Sequence, residues 1–271
     1  MKNRIDSAFE KCRAAKRAAF MPFLTAGDPS LAATAALIEE CERRGADLLE
    51  LGIPYSDPVA DGPTIQASYV RALAAGCRLE DIFDMLRGVR ERCKLPILTM
   101  VSFSIVSRHG PQAYFGRAAE AGVDGVIIPD LPIEEGAKVA RMAEKARLYP
   151  VFLVAPTTPD ERMKGIVRRS RGFIYYIAVT GTTGARAALP SDLAQHIARV
   201  RAATDKPVAV GFGVSAPEQV AAVAQVADGV IVGSAIVRKV ADCARRPLPE
   251  LVEEVGRFVG KLAAATKKAN Y

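Results

Sequence analysis

Glu50 stands where packing alone does not explain a carboxylate. It falls inside the apolar run Ala46-Asp47-Leu48-Leu49-Glu50-Leu51-Gly52. The segment Ile53-Pro54-Tyr55-Ser56-Asp57-Pro58-Val59-Ala60-Asp61-Gly62-Pro63-Thr64 follows at once and carries two more carboxylates, Asp57 and Asp61. Burial raises the pKa of a carboxylic acid, which suits a group that gives and takes a proton near neutral pH. A strand-end Glu paired with a neighbouring Arg is the competing reading. The acidic, Pro/Gly-rich loop behind Glu50 favours chemistry.

Three later segments form a second constellation. Thr180–Gly184, Gly211-Phe212-Gly213-Val214-Ser215 and Gly233-Ser234 are glycine-rich turns at the ends of apolar runs. Backbone N–H groups in such turns can face an anion, and a helix beginning at Ser234-Ala235-Ile236 would add its positive end. Plain turn geometry explains each glycine singly; their joint placement favours a phosphate site. Phe23, Met100, Ile127, Leu153, Tyr175 and Phe212 sit near strand ends and could flank an apolar substrate. They read equally well as core packing, with Tyr175 set apart because a phenol packs and still hydrogen-bonds. His109 and His196 show no metal-ligand spacing, and His196 is expected on an exposed helix face. No Ser-His-Asp arrangement, G-x-S-x-G motif or strand-end Lys is legible. What remains is acid/base chemistry on a phosphorylated, partly aromatic molecule, with no cofactor.

The elements that must position these residues alternate. Strands are expected near Ala19–Leu24, Asp47–Gly52, Pro96–Val101, Gly125–Pro129, Pro150–Val154, Phe173–Ala178, Pro207–Phe212 and Gly229–Val232, mostly as continuous apolar runs typical of parallel strands covered on both faces. Helical patterns lie between them at Leu31–Arg44, Leu79–Arg92, Gln112–Ala121, Glu134–Ala146, Pro159–Arg169, Leu193–Ala203 and Pro217–Gln225. Ser30, Thr157-Thr158 and Ser215 read as N-caps, each near a Pro suited to a first turn, and Gly45, Gly76 and Gly122 as helix closers. The phrases Arg44-Gly45-Ala46-Asp47 and Ala121-Gly122-Val123-Asp124 repeat at helix-to-strand joints. No linker or composition shift divides the chain. Eight βα units point to a single (β/α)8 TIM barrel of eight parallel strands over residues 1–271, with extra N- and C-terminal helices. A doubly wound sheet would want fewer strands and a G-x-G-x-x-G after the first. In such a barrel the strand C-termini carry the site, which places Glu50 at the end of strand two, Asp57 and Asp61 in the loop after it and Asp130 at the end of strand four.

Bulk properties narrow the class. The 271 residues have a formal net charge of +7 and are 50% hydrophobic. The basic residues form scattered pairs with few aromatics, unlike a nucleic-acid face. Five widely spaced cysteines without a C-x-x-C argue against a disulfide framework and for a reducing compartment. With no signal-like or membrane-length apolar run, a cytoplasmic protein that binds neither membrane nor nucleic acid is expected.

The motifs Pro22-Phe23-Leu24-Thr25-Ala26-Gly27-Asp28-Pro29, Glu50 to Gln66, Val179 to Arg186, Gly211 to Ser215 and Gly233 to Val237 closely resemble the tryptophan synthase alpha chain, in order from about residue 5 to residue 240. The resemblance implies retro-aldol cleavage of indole-3-glycerol phosphate to indole and glyceraldehyde 3-phosphate. It places the acid/base at Glu50 and the second carboxylate at Asp61. It further implies Tyr175 and Phe212 around the indole, Gly184, Gly213, Gly233 and Ser234 on the phosphate, and Thr183 in a mobile loop that closes over the site and touches Asp61. The implied partner is a pyridoxal-phosphate-dependent beta chain in an alpha2beta2 heterotetramer. The stretch after strand three departs from the family, with Ser104 and Ile105 at an Asn-Pro-like turn that helps dock that partner. The tail Pro247–Tyr271 is basic and longer than the family leads one to expect. Alternatives are a partner-independent lyase, a chain that mainly activates the beta chain, and another phosphosugar barrel enzyme, which would want a strand-end Lys or a different acid pair.

Overall fold

In the computed structural model, residues 2–58, 61–131, 133–177, 192–211 and 213–267 are described. They form nine parallel strand segments: β1 Ala19–Thr25, β2 Leu49–Gly52, β3 Ile97–Met100, β4 Gly125–Ile127, β5 Tyr149–Val151, β6 Leu153–Val154, β7 Ile174–Ile177, β8 Val208–Gly211 and β9 Gly229–Val232. Their order is β5-β4-β3-β2-β1-β9-β8-β7-β6. The two ends of that order are consecutive pieces of one extended segment, so the sheet closes on itself and β5 with β6 fill the fifth of eight positions. Phe152 separates the two pieces. Its N–H goes to the Ser170 hydroxyl at 2.8 Å, while its carbonyl accepts from Tyr175 at 3.2 Å. The expected eight-stranded TIM barrel is therefore present, with its fifth strand divided.

Around the barrel run α1 Arg4–Ala14, α2 Leu31–Arg43, α3 Pro63–Ala74, α4 Leu79–Arg90, α5 Phe103–His109, α6 Pro111–Glu120, α7 Ile133–Lys145, α8 Asp160–Arg169, α9 Leu193–Arg201, α10 Pro217–Val226, α11 Ser234–Cys243 and α12 Leu248–Ala264. Among the described residues no helix is long and apolar enough to cross a membrane. All seven residues of β1 are buried, as strands covered on both faces must be. Met21, Leu48, Leu98, Ile127, Phe173 and Ile231 fill the barrel interior. Ile5 and Phe9 of α1 plug its lower end, with the Phe9 and Phe173 rings 5.4 Å apart.

The lower rim is stitched by a repeated device. Asp47, Asp124 and Asp228 each accept an N–H from the start of the neighbouring strand, from Phe20 at 2.9 Å, Ile97 at 2.9 Å and Val208 at 3.0 Å. Each also pairs with a guanidinium, from Arg17, Arg90 and Arg201 respectively. A carboxylate with both partners satisfied, buried at Asp124 and half-buried at Asp47 and Asp228, fixes the register of strand pairs without leaving a charge unpaired. The joint phrases noted in the sequence are this device.

The C-terminal segment supplies the expected C-terminal helix. α12 buries Leu251, Val255, Val259 and Leu262 and packs on α2 and α11. Gly256 makes room for Glu40 of α2, whose carboxylate pairs with Arg43 and Arg44. Two helices, α3 and α5, fall outside the helical segments read from the sequence.

Candidate active site

β2 brings Glu50 to the upper half of the barrel interior, level with Phe23 on β1 and Leu98 on β3. The side chain is 1% exposed. The Tyr175 hydroxyl donates to one carboxylate oxygen across a long 3.5 Å, and the other oxygen has no hydrogen-bond partner. No cation pairs with Glu50 among the described residues, which removes the strand-end ion-pair reading. Burial, then the nearby negative charge of Asp61, pushes its pKa up to about 8 against the opposing Tyr175 hydrogen bond.

Asp61 stands two residues before α3. Gln66 on the first turns of that helix donates to the carbonyls of Asp61 at 2.8 Å and Pro58 at 3.1 Å, bracketing the loop. The Asp61 side chain faces a small enclosed pocket lined by Tyr55, Tyr69, Met100, Ser102 and Asp130. Burial first, and the charge of Asp130 second, raise its pKa to about 6. Near pH 7 the two acids therefore hold different protonation states, Glu50 neutral and Asp61 ionised. Environments that separate two carboxyl groups in this way assign acid and base roles.

Tyr175 lies on β7 in the barrel interior and keeps its position because Gly211 on β8 has no side chain. A Cβ there would lie 2.5 Å from the Tyr175 ring and 2.6 Å from its hydroxyl. Phe23 is buried against Ile65, Tyr69 and Val237, and its ring covers Gly52, where a Cβ would fall 2.4 Å away. β8 and β9 pair through Gly211 and Ile231, so the loops after them are neighbours. Gly213 lies in the first of these loops. Gly233 and Ser234 open α11, whose Ile236 and Val237 N–H groups already bond to the Gly233 carbonyl. The start of that helix carries its positive end. Thr183, Gly184 and Phe212 lie outside the described residues.

Three pocket residues escaped the sequence reading as site candidates, Tyr55, Tyr69 and Ser102, whereas Asp130 was legible as the acid that closes strand four. Tyr69 had a usable signal, since Pro63 suits a first helical position and Ile65, Ser68, Tyr69 and Ala72 then share the buried face. His196 was expected to be exposed but is half-buried on α9, its ring 6.2 Å from that of Tyr176. Its helix packs that face onto the sheet.

The fold and the mouth together define a parallel (β/α)8 barrel with an inward acid pair at the strand C-termini and a glycine-lined flank after β8 and β9. The family model for the tryptophan synthase alpha chain matches residues 9–267. The tryptophan synthase alpha chain of Geobacter sulfurreducens is 47% identical over 263 residues, 97% of this chain and 98% of the relative. Tryptophan synthase of Mycobacterium tuberculosis superposes with a TM-score of 0.89 at 36% identity, covering 99% of this chain and 100% of that one. Tryptophan synthase subunit alpha of Legionella pneumophila gives 0.90 at 36% identity, covering 98% and 99%. This chain belongs to the tryptophan synthase alpha chain family, and with it to the enzymes.

Proposed function

We propose that this chain is a carbon-carbon lyase that cleaves indole-3-glycerol phosphate to indole and glyceraldehyde 3-phosphate, as one step of tryptophan biosynthesis. The observation that carries the reading is the buried, unpaired Glu50 carboxyl beside an ionised Asp61. Protonated Glu50 delivers its proton to C3 of the indole ring, which turns the electron-rich ring into an electron sink. Asp61 stabilises the positive charge that develops at the ring nitrogen. The Glu50 carboxylate then takes the proton of the side-chain hydroxyl. The C–C bond breaks, its electrons return to the ring, and the hydroxyl carbon leaves as the aldehyde. The proton Glu50 gave is recovered, so the step balances with no cofactor.

Phe23, Tyr175 and Phe212 flank the indole in this reading. Gly184, Gly213, Gly233 and Ser234 hold the phosphate, and Thr183 contacts Asp61. Residues 1–271 act as one barrel domain, a reading supported by α1 and α12 packing on the same barrel. The chain works in the cytoplasm. It passes indole to a tryptophan synthase beta chain in an alpha2beta2 assembly. A groove of about 390 Å³, edged by Asp57, Leu73, Cys77, Ser104, Ile105 and His109, offers a docking surface for that chain. The decisive test is Glu50→Gln with indole release as the readout. Loss of at least about a hundredfold in kcat with the fold intact is expected, and survival of cleavage at a comparable rate refutes the assignment.

A further inference from the structure

The loop after β4 places Asp130 at the rim of the pocket that Asp61 faces. Its two carboxylate oxygens are both used. One accepts from the backbone N–H of Phe103 at 2.8 Å, and the other from the Ser102 hydroxyl at 2.7 Å. Ser102 is itself the N-cap of α5, accepting from the Ser104 N–H at 3.2 Å, and the two hydroxyls lie 2.8 Å apart. The first turn of α5 is thus fastened to the loop after β4 by a single side chain. That side chain also presents its charge to the half-buried Asp61 across the same small pocket.

We propose that Asp130 is a positioning residue for Asp61, tying α5 to the mouth of the barrel and setting the electrostatic environment in which Asp61 works. The inference rests on the cleavage reading above and adds a residue to it. A second negative charge beside a partly buried carboxylate opposes its ionisation. Asp130 is the second cause, after burial, of the raised Asp61 pKa. The other titratable groups that sense Asp61 are Glu50 on β2, Tyr55 in the following loop, Tyr69 on α3 and Tyr175 on β7. None of these carries a positive charge, and Arg108 and His109 lie in the groove on the other side of Tyr55. Asp130 is therefore the group here whose charge can be removed without touching the acid pair. Its exposed position lets solvent screen the interaction, so the effect is modest.

The full chain tests this with indole-3-glycerol phosphate between about pH 5 and pH 9, following the acid limb of kcat/KM. Asp130→Asn keeps an acceptor for the Phe103 N–H and a partner for Ser102 but removes the charge. The limb should move down by roughly half a pH unit. Asp130→Glu should leave it in place. Asp130→Ala should shift it as Asn does and also raise KM, because α5 loses its fastening. A folded, active Asp130→Asn protein with the wild-type limb overturns the inference. Should that variant fail to fold, ¹³C carboxyl titration of Asp61 in wild type and in Asp130→Ala decides, with the Asp61 signal identified by its loss in Asp61→Asn. A lower Asp61 midpoint in Asp130→Ala is expected, and an unchanged midpoint overturns the proposal. Absence of any indole release by the wild type would defeat the cleavage reading instead, and the carboxyl titration would still decide whether Asp61 senses Asp130.

Discussion

At the scale of single residues, the pH behaviour follows from two side chains. Activity should be bell-shaped in pH. It falls below about 6 as Asp61 gains a proton and above about 8 as Glu50 loses one. Stability should also carry the Glu50 signature. Its folded-state pKa is raised above the ordinary value of 4.5, so the folded chain binds more protons than the unfolded one between about 4.5 and about 8. Stability then declines as pH rises through that window, at up to about 1.4 kcal/mol per pH unit. Denaturant melts of wild type and Glu50→Gln across pH check this, since the variant should show a flatter dependence. If wild-type stability climbs through the window, Glu50 is not the buried neutral acid described above. Glu50 could be singled out from its place in an apolar run. Asp130 could be noted only as a strand-end acid, because its relation to Asp61 spans two loops that no local pattern connects.

Among the elements, small residues decide where large functional ones can sit. Gly211→Ala should push Tyr175 off its place beside Glu50, and kcat/KM for indole release should fall by roughly 10- to 100-fold. Thermal stability should change little by comparison, which a paired kinetic and melting measurement would show. Gly256→Val tests the α2–α12 clamp. Its Cβ would fall 2.4 Å from the Glu40 carboxylate, which two arginines hold in place. A loss of about 1–3 kcal/mol with unchanged KM is expected from equilibrium unfolding and steady-state kinetics. Helix ends show how far local signals reach. Ser30 caps α2 as its sequence neighbours indicate, accepting from the Ala33 N–H at 3.1 Å. Thr158 instead accepts from the Ala155 N–H, and the Ser215 N–H goes to the Gln219 side chain. In both cases a nearby backbone or amide group competed successfully for the same residue. Gly45, Gly76 and Gly122 do close their helices, with φ of +93°, +79° and +82°.

For the whole molecule, the proposed partnership is the property most open to test. A mixture with a tryptophan synthase beta chain should elute from a sizing column as one larger species, and Ile105→Asp should weaken it by placing a charge in the docking groove. Separate elution of the wild-type chain and the beta chain would favour the partner-independent alternative. The barrel itself explains why distant motifs converge. Closure through β5 and β6 brings β2, β7, β8 and β9 around one axis, so residues as far apart in sequence as Glu50 and Ser234 share one mouth.

Periodicity, turn chemistry and one misplaced acid were enough to indicate the eight-unit barrel, Glu50 and the glycine-rich flank, because each is a signal carried within a few neighbouring residues. The division of the fifth strand at Phe152, the lining of the Asp61 pocket by Tyr69 and Asp130, and the separation of two carboxyl pKa values required the closed chain. Those properties depend on burial and on through-space charge, which exist only once remote segments have been packed against one another.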